Sequence, residues 1–542
     1  MRGALLMTAL AIAAVPVQAQ RIDPGRQLLD ELQQRQLQRE EQREPGRIEG
    51  KPETKPAPAA DEGICFDIDR IDLEGVTLLA ADVRDPILAR YTGKCLGRTE
   101  INALLAALTQ AYVDRGYITT RVYVPPQNLS SRVLKLLVIE GRIEQLYMNQ
   151  DADADRQRVR AAFPTEAGDK LRLQDLEQGL DQLNRVPSSN ATLQLQPGKE
   201  AGGTVVAIQD RPENRFRAYV AYDTYGQERT GKQRLSLGAE ADNLFSLNDT
   251  WALVYAGTLD TNAIAGNGSV GLGNWTLGLS GSYSEFLQPL TPDTELVGRS
   301  TILGLSADRL LYRSSTTRTN AVLTLDRKWF RRYVNDVSLI PQDLTVVRAG
   351  ARSQVRSPDG ILFLDGVLAV GTTALGATED PANLPTDAPH AQFTKFEAGV
   401  TWLGRIDGLS LRASLRGQYS LDALYSSEQI VLGGFYTVRG YGESVAFGDS
   451  GWYSRNELGI TLRPGTLVTD GFDWSPHIQP YVLLDGGQVF SKSGFFENSL
   501  GGVGVGLRLA KRPVSLDLTL AYPFIRNDLP RQEVYFRIAL QI

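Results

Sequence analysis

The tract LSLRASLRGQYSLD (residues 409–422) limits the choice of fold more than any other part of this chain. Leu409, Leu411, Ala413, Leu415, Tyr419 and Leu421 share one parity; Ser410, Arg412, Ser414, Arg416, Gln418, Ser420 and Asp422 share the other. Alternation at period two specifies a strand with one apolar and one polar face. A soluble sandwich alternates as well, but arginines in mid-strand suit a hydrated lumen behind a face turned to lipid. EVYFRIALQI (533–542) repeats the pattern, with Val534, Phe536, Ile538, Leu540 and Ile542 on one side. Sixteen such segments begin near residues 215, 232, 249, 269, 297, 316, 342, 360, 391, 408, 428, 452, 476, 500, 512 and 533. The spacing averages roughly 20 residues per segment, which fits spanning strands of about 10 residues plus connections. The region 213–542 is therefore expected to form a transmembrane antiparallel β-barrel of about 16 strands.

The rest of the chain agrees with an exported protein. MRGALLMTALAIAAVPVQA (1–19) carries one arginine, an apolar run from Ala4 to Val15, and small residues at Val17 and Ala19. That is the pattern of a secretory signal peptide, and the run is too short to cross a membrane. No later segment is apolar enough to cross as a helix, so a membrane domain in this chain must be a barrel. Lys+Arg 57 against Asp+Glu 63 leaves a net charge of −6, and no basic excess points to nucleic acid. With two cysteines, two histidines and three methionines, metal or thiol chemistry has little to work with. Cys65 and Cys95 read as a disulfide in an oxidising compartment, since their spacing is unlike a CxxC redox pair.

Between signal and barrel lie four further parts. Residues 20–44 include RQLLDELQQRQLQREEQRE (26–44), rich in helix formers but with a thin apolar stripe of Leu28, Leu29, Leu32 and Leu37. Such a helix stays solvated or sits in a polar cavity. PGRIEGKPETKPAPAADEG (45–63), with its prolines and charges, is a flexible tether. Residues 64–140 and 141–212 each read strand–helix–helix–strand–strand. In the first unit the strands are expected at 66–73, 117–124 and 132–139 and the helices at 81–91 and 100–115. In the second, strands are expected at 142–148, 191–196 and 203–209 and helices near 154–163 and 173–185. Ile101, Leu104, Leu105, Leu108 and Tyr112 in one unit, and Leu173, Leu176, Leu180 and Leu183 in the other, recur at helical spacing. Exposed strand edges in such units can accept an extended peptide.

Several motifs that resemble catalytic signatures do not survive their context. GNGSVG (266–271) fits a dinucleotide fingerprint but is flanked by alternating strands. GQERTGK (226–232) places Gln233 where a phosphate loop needs Ser or Thr, and reads as a hairpin turn. GxSxG is absent, and His390 and His477 have no cysteine close in sequence. No enzymatic activity, metal or cofactor is implied.

GGFYTVRGYGE (433–443) is different. An arginine fork on a loop can hold a carboxylate bidentately, and Gly440 and Gly442 allow a tight bend. By alternation Asp485, in LLDGG (483–487), faces away from Leu484 and into the lumen.

The whole order resembles the two-partner secretion transporters, the TpsB (ShlB/FhaC/HecB) family. The resemblance is most specific in RGYITTRVYVPPQNLSSRVLKLLVIEGRI (115–143), which looks like the end of the family's first POTRA domain, and in VRGY (438–441). It implies a signal peptide (1–19), a plug helix (20–44), a linker (45–63), POTRA domains at 64–140 and 141–212, and the barrel. It also implies that the VRGY loop (Val438, Arg439, Gly440, Tyr441) folds back into the lumen, where Arg439 pairs with Asp485 and Gly487 closes the wall motif. The expected protein is an outer-membrane pore with periplasmic POTRA domains. It would export an unfolded TpsA-type exoprotein, of adhesin or haemolysin type, as a monomeric pore among outer-membrane lipid and lipopolysaccharide. An outer-membrane barrel-assembly factor, which shares the arginine motif, is the alternative; two POTRA units favour secretion.

Overall fold

The computed structural model describes residues 23–42, 48–49, 65–149, 152–443, 445–462, 477–492, 497–525 and 532–542. The segment read as a signal peptide, and most of the segment read as a linker, lie outside the described residues. Among the described residues sixteen strands close an antiparallel barrel, from Phe216–Asp223 to Glu533–Gln541, each beside its sequence neighbour. A two-residue return, Val337–Ser338, decorates the tip of the Thr317–Val334 strand. Closure runs from Tyr219↔Gln541 to Asp223↔Arg537, and reciprocal backbone bonds between Ala218 and Ile542 (3.0 and 2.8 Å) extend it. A closed ring satisfies every wall strand's backbone in lipid. In the strand His477–Phe490, Val482 and Leu484 are exposed on the outer face, whereas Tyr481, Leu483 and Asp485 are buried inside.

The expected strand count is right through two offsetting differences. The segment placed near 269 is two strands, Thr261–Leu272 and Trp275–Thr291, joined by a turn at Gly273 with φ +56°. In AIAGNGSVGLGNW glycine and small residues break the apolar alternation, so the turn leaves no contrast to read. The segment placed near 428 is no wall strand. Ile430–Leu432 is too short to span and pairs instead with Ala446–Gly448, inside the long connection between Ser420 and Ser450. GNGSVG lies within a wall strand, and GQERTGK forms the connection after Phe216–Asp223, with one 3-10 turn at Glu228–Thr230.

The two units before the barrel follow the expected order with small shifts. In the first, Arg70–Glu74 pairs in parallel with Val133–Ile139, which pairs antiparallel with Arg121–Tyr123. The strand expected over 117–124 shrinks to those three residues because Tyr117–Thr120 closes a turn, Thr120 N–H donating to the Tyr117 carbonyl at 3.2 Å. An additional strand, Lys94–Gly97, pairs with Cys65–Ile68, and Cys65 and Cys95 are disulfide-bonded across it. The helix Arg98–Val113 buries Leu104, Leu108 and Tyr112 against Leu134 and Leu136. In the second unit, Leu176, Leu180 and Leu183 of Leu173–Asn184 pack on Ile143, Leu193 and Val206. Within the segment expected to be a flexible tether, Ile48–Glu49 instead forms a short strand, pairing in parallel along that sheet's Ala191–Pro197 edge.

Polar contacts fix both junctions. Glu140 accepts from Thr77 N–H (2.6 Å), Leu78 N–H (2.8 Å) and Lys170 (2.9 Å), tying the first unit to the second. Burial pushes the Glu140 carboxyl up, but the bonds from Lys170 and Thr77 outweigh it and hold it at about 2. The second unit docks on one end of the barrel. Gln178 and Gln182 both donate to the Gly273 carbonyl at 2.9 Å, Arg185 to the Asn248 carbonyl at 2.6 Å, and Arg313 meets Asp181 at 2.7 Å. This end of the barrel therefore faces the two units, and the connection carrying Arg439 enters from the other.

Candidate functional site in the barrel lumen

The connection between the strands Leu409–Ser420 and Ser450–Gly459 turns inward instead of standing out from the barrel. Its Ile430–Leu432 and Ala446–Gly448 ribbon carries Leu432, Val438, Tyr441 and Ala446 against Val489 and Leu500 of the inner wall. An apolar patch inside a polar lumen gives the loop a fixed seat. At the tip, Arg439 is wholly buried. Its Nε and Nη2 donate to the two oxygens of Asp485 at 2.6 and 2.9 Å, a bidentate pair, and its backbone N–H reaches the same carboxylate at 3.2 Å. The remaining Nη1 donates to Glu457. Planar fork and carboxylate satisfy one another, as a buried charge requires.

Around this pair, tyrosines finish the backbone's hydrogen bonding. Tyr441 Oη donates to the Ile525 carbonyl at 2.6 Å, and Tyr535 Oη donates to the Tyr441 carbonyl at 2.8 Å. Gly440 has φ +103°, and a side chain there would stand 2.8 Å from the backbone carbon of Tyr522, so only glycine fits the bend. Gly487 serves a different purpose: a Cβ would meet Leu432 at 3.0 Å and the Trp452 carbonyl at 2.8 Å, so its bareness lets the loop ribbon lie close.

All the loop and wall residues singled out in the sequence thus come together, but two others do as much. Glu457 sits on the neighbouring strand, accepts from Arg439, and is held in turn by Arg508 at 2.8 Å. Its parity with Arg455 and Tyr453 put it in the lumen, yet nothing in the sequence distinguished it from other wall acids. Gly502 lies directly under the Arg439 carbonyl, which would be 1.8 Å from a Cβ. Tyr436 packs against Tyr225, Ala521 and Tyr535, and it also reaches the lumen helix. It donates to Glu31 at 2.6 Å and accepts from Arg234 at 3.0 Å.

Glu31 belongs to the helix Pro24–Gln42, which runs through the lumen. Leu28 and Leu32 bury against Val254, Ala256, Ala263 and Ala265, with Leu29 partly buried beside them; the Leu37 side chain lies outside the described residues. Asp23, at the N-terminal end, accepts from Ser284 at 2.7 Å, and Arg39, near the other end, pairs with Glu240 at 2.5 Å. The helix therefore spans the lumen from the loop's mouth toward the docked unit. A space of about 960 Å³ remains around its Arg39 end, lined by polar residues such as Arg217, Asn267 and Asn320 and by apolar ones such as Trp251 and Phe363.

The chain is similar to known proteins. Residues 202–509 match the family described as haemolysin secretion/activation protein ShlB/FhaC/HecB, residues 66–141 an ShlB-type POTRA domain, and residues 142–197 a further POTRA domain. The outer membrane transporter CdiB of Dickeya dadantii is 31% identical over 86% of this chain and 84% of its own. The hemolysin transporter protein HpmB of Proteus mirabilis is 29% identical over 84% and 82%. The solved structure of CdiB from Escherichia coli superposes with a TM-score of 0.86 at 28% identity, covering 97% of this chain and all of that one.

Proposed function

Because the chain belongs to the ShlB/FhaC/HecB family of two-partner secretion transporters, an outer-membrane barrel with periplasmic POTRA domains, we propose that it exports one unfolded exoprotein, of adhesin or haemolysin type. The observation that carries this reading is the helix Pro24–Gln42 inside the lumen, beside a loop fixed by Arg439. A pore holding a removable segment and a permanent one is built to open for cargo and then reseal.

In this reading the helix is the plug of the resting pore, and residues 45–63 are the tether that lets it leave. The Arg439–Asp485 pair, with Gly487 giving it room, holds the inward loop while cargo passes. The POTRA domains take the cargo's extended N-terminal segment by strand addition, which sheet edges such as Arg121–Tyr123 permit. Tyr123, on that edge, is an exposed apolar side chain and suits such a segment. The disulfide Cys65–Cys95 braces the first POTRA domain. No nucleotide enters the scheme. The pore works as a monomer among outer-membrane lipid and lipopolysaccharide.

Deleting the gene and comparing culture medium with outer membranes tests this. The expected result is loss of one large exoprotein from the medium with the other outer-membrane proteins unchanged. A general loss of outer-membrane barrels would overturn it in favour of an assembly factor.

A further inference from the structure

The loop is anchored at its tip by Arg439, but its root contains a second buried charge. Glu428 lies where the connection leaves the Leu409–Ser420 strand and turns inward, and its side chain is fully buried. Three cations from three wall strands, Thr317–Val334, Gln342–Ser357 and Thr394–Ile406, converge on its carboxylate. Lys328 is 2.5 Å from one oxygen, and Lys395 (3.1 Å) and Arg348 (3.2 Å) share the other. The Glu428 backbone carbonyl accepts from Lys395 and from Gln418, each at 2.9 Å. Side chain and main chain of one residue are thus both fixed to the wall.

The next carbonyl back along the chain belongs to Ser427, and it accepts a 2.6 Å bond from Arg26. Arg26 stands in the first turn of the lumen helix and is within electrostatic reach of Glu428 itself. The helix end is therefore bonded to a carbonyl whose place is set by the Glu428 clamp. A buried carboxylate facing three cations is costly to strip from its partners, so the clamp has essentially one position.

We propose that Glu428 is a second anchor of the inward loop, set where the loop's root meets the Pro24–Gln42 helix, and that its charge governs how readily the helix leaves the lumen. Glu428 is a positioning residue: it acts on the helix through the Ser427 carbonyl. The inference rests on the reading of the helix as a plug.

Single-channel recording of the full-length protein in planar bilayers tests it, alongside heat-modifiability on gels as the check for a folded barrel. The variant E428Q keeps the volume and removes the charge. It should stay heat-modifiable and open at least about fivefold more often than wild type, the lower end of ordinary coupling between sites. E428D, which keeps the charge on a shorter stem, should fall between the two. Deleting residues 20–44 should raise the current and abolish the difference between E428Q and wild type.

If the deletion raises the current while E428Q opens no more often than wild type, the Glu428 proposal falls and the plug stands. An unchanged current after the deletion removes both. Should E428Q fail to reach the heat-modifiable form, R26Q leaves the buried carboxylate in place and reads the same junction; wild-type opening by R26Q overturns the proposal.

Discussion

Two segments share this lumen, and they are held in opposite ways. The loop tip is dry. Arg439 has no exposed surface, Val438 and Tyr441 are buried with it, and Gly487 and Gly502 are bare so that it can lie close. The helix rests on an alanine-rich stripe of wall through Leu28 and Leu32, and an open space of about 960 Å³ adjoins it. What each leaves behind on departure differs even more. Among the described residues Arg439 is the cation paired with Asp485, so removing it strands a buried carboxylate, at a cost of about 3–5 kcal/mol. The helix's buried acid, Glu31, pairs with Arg234, but Arg234 keeps Asp223 at 3.0 Å when Glu31 goes. If the helix is the plug proposed above, one segment remains and the other withdraws while Arg234 stays paired with Asp223.

The largest expected effect comes from attacking the permanent segment. Arg439→Ala should abolish export while the barrel still inserts and shifts on unheated gels; normal export by that variant would end the distinction. Removing residues 20–44 should raise resting conductance in planar bilayers severalfold, and an unchanged current would mean that the helix does not obstruct the pore. Leu32→Ala is a finer probe of the helix. Losing a buried leucine costs about 2 kcal/mol or more, so channel opening should become at least about tenfold more frequent. If opening does not change, the apolar stripe is not what holds the helix.

The smallest effect lies outside the membrane and tests whether the periplasmic joint is fixed like the loop. Glu140 is held at about 2 by Lys170 and Thr77, below its usual value of 4.5. A depressed carboxyl stabilises the fold fully above about pH 4.5, and that contribution is lost as pH falls toward 2. Lys170→Met should therefore lower the stability of the POTRA pair at pH 7 by roughly 0.5–1 kcal/mol, since solvent screens an ion pair whose lysine is more than a third exposed. It should also shrink the further loss on acidification between pH 4.5 and 2, as urea denaturation at each pH would record.

How far the sequence could be read depended on contrast. Where apolar and polar residues alternate, as in Leu409–Ser420 or His477–Phe490, strand, face and even the lumenal position of Asp485 were legible. Between Thr261 and Thr291 glycines and serines remove the contrast, and two strands looked like one. Ile430–Leu432 has the apolar content of a wall strand, and only tertiary packing on Val489 and Leu500 sends it inward. Glu457 and Gly502 escaped notice for a related reason. One is an acid among several on the lumen face, the other a glycine in a glycine-rich strand, and each is singled out only by the position of Arg439.

Gly502 also bears on the order in which the molecule can be assembled. The Arg439 carbonyl occupies the space a side chain at 502 would need, and Tyr535 and Ile525 close over the same loop. The loop's socket is thus made by strands synthesised after it, within about a hundred residues of the tip, whereas the helix bonds across separations of 201 to 405 residues. Sequence-near contacts close first because their loop entropy is smaller. During refolding into micelles, protease protection of the loop should therefore appear together with heat-modifiability, and protection of the helix after it. On that order the last strands act as the lid of a mould already holding its insert, and the helix is threaded into the finished casting.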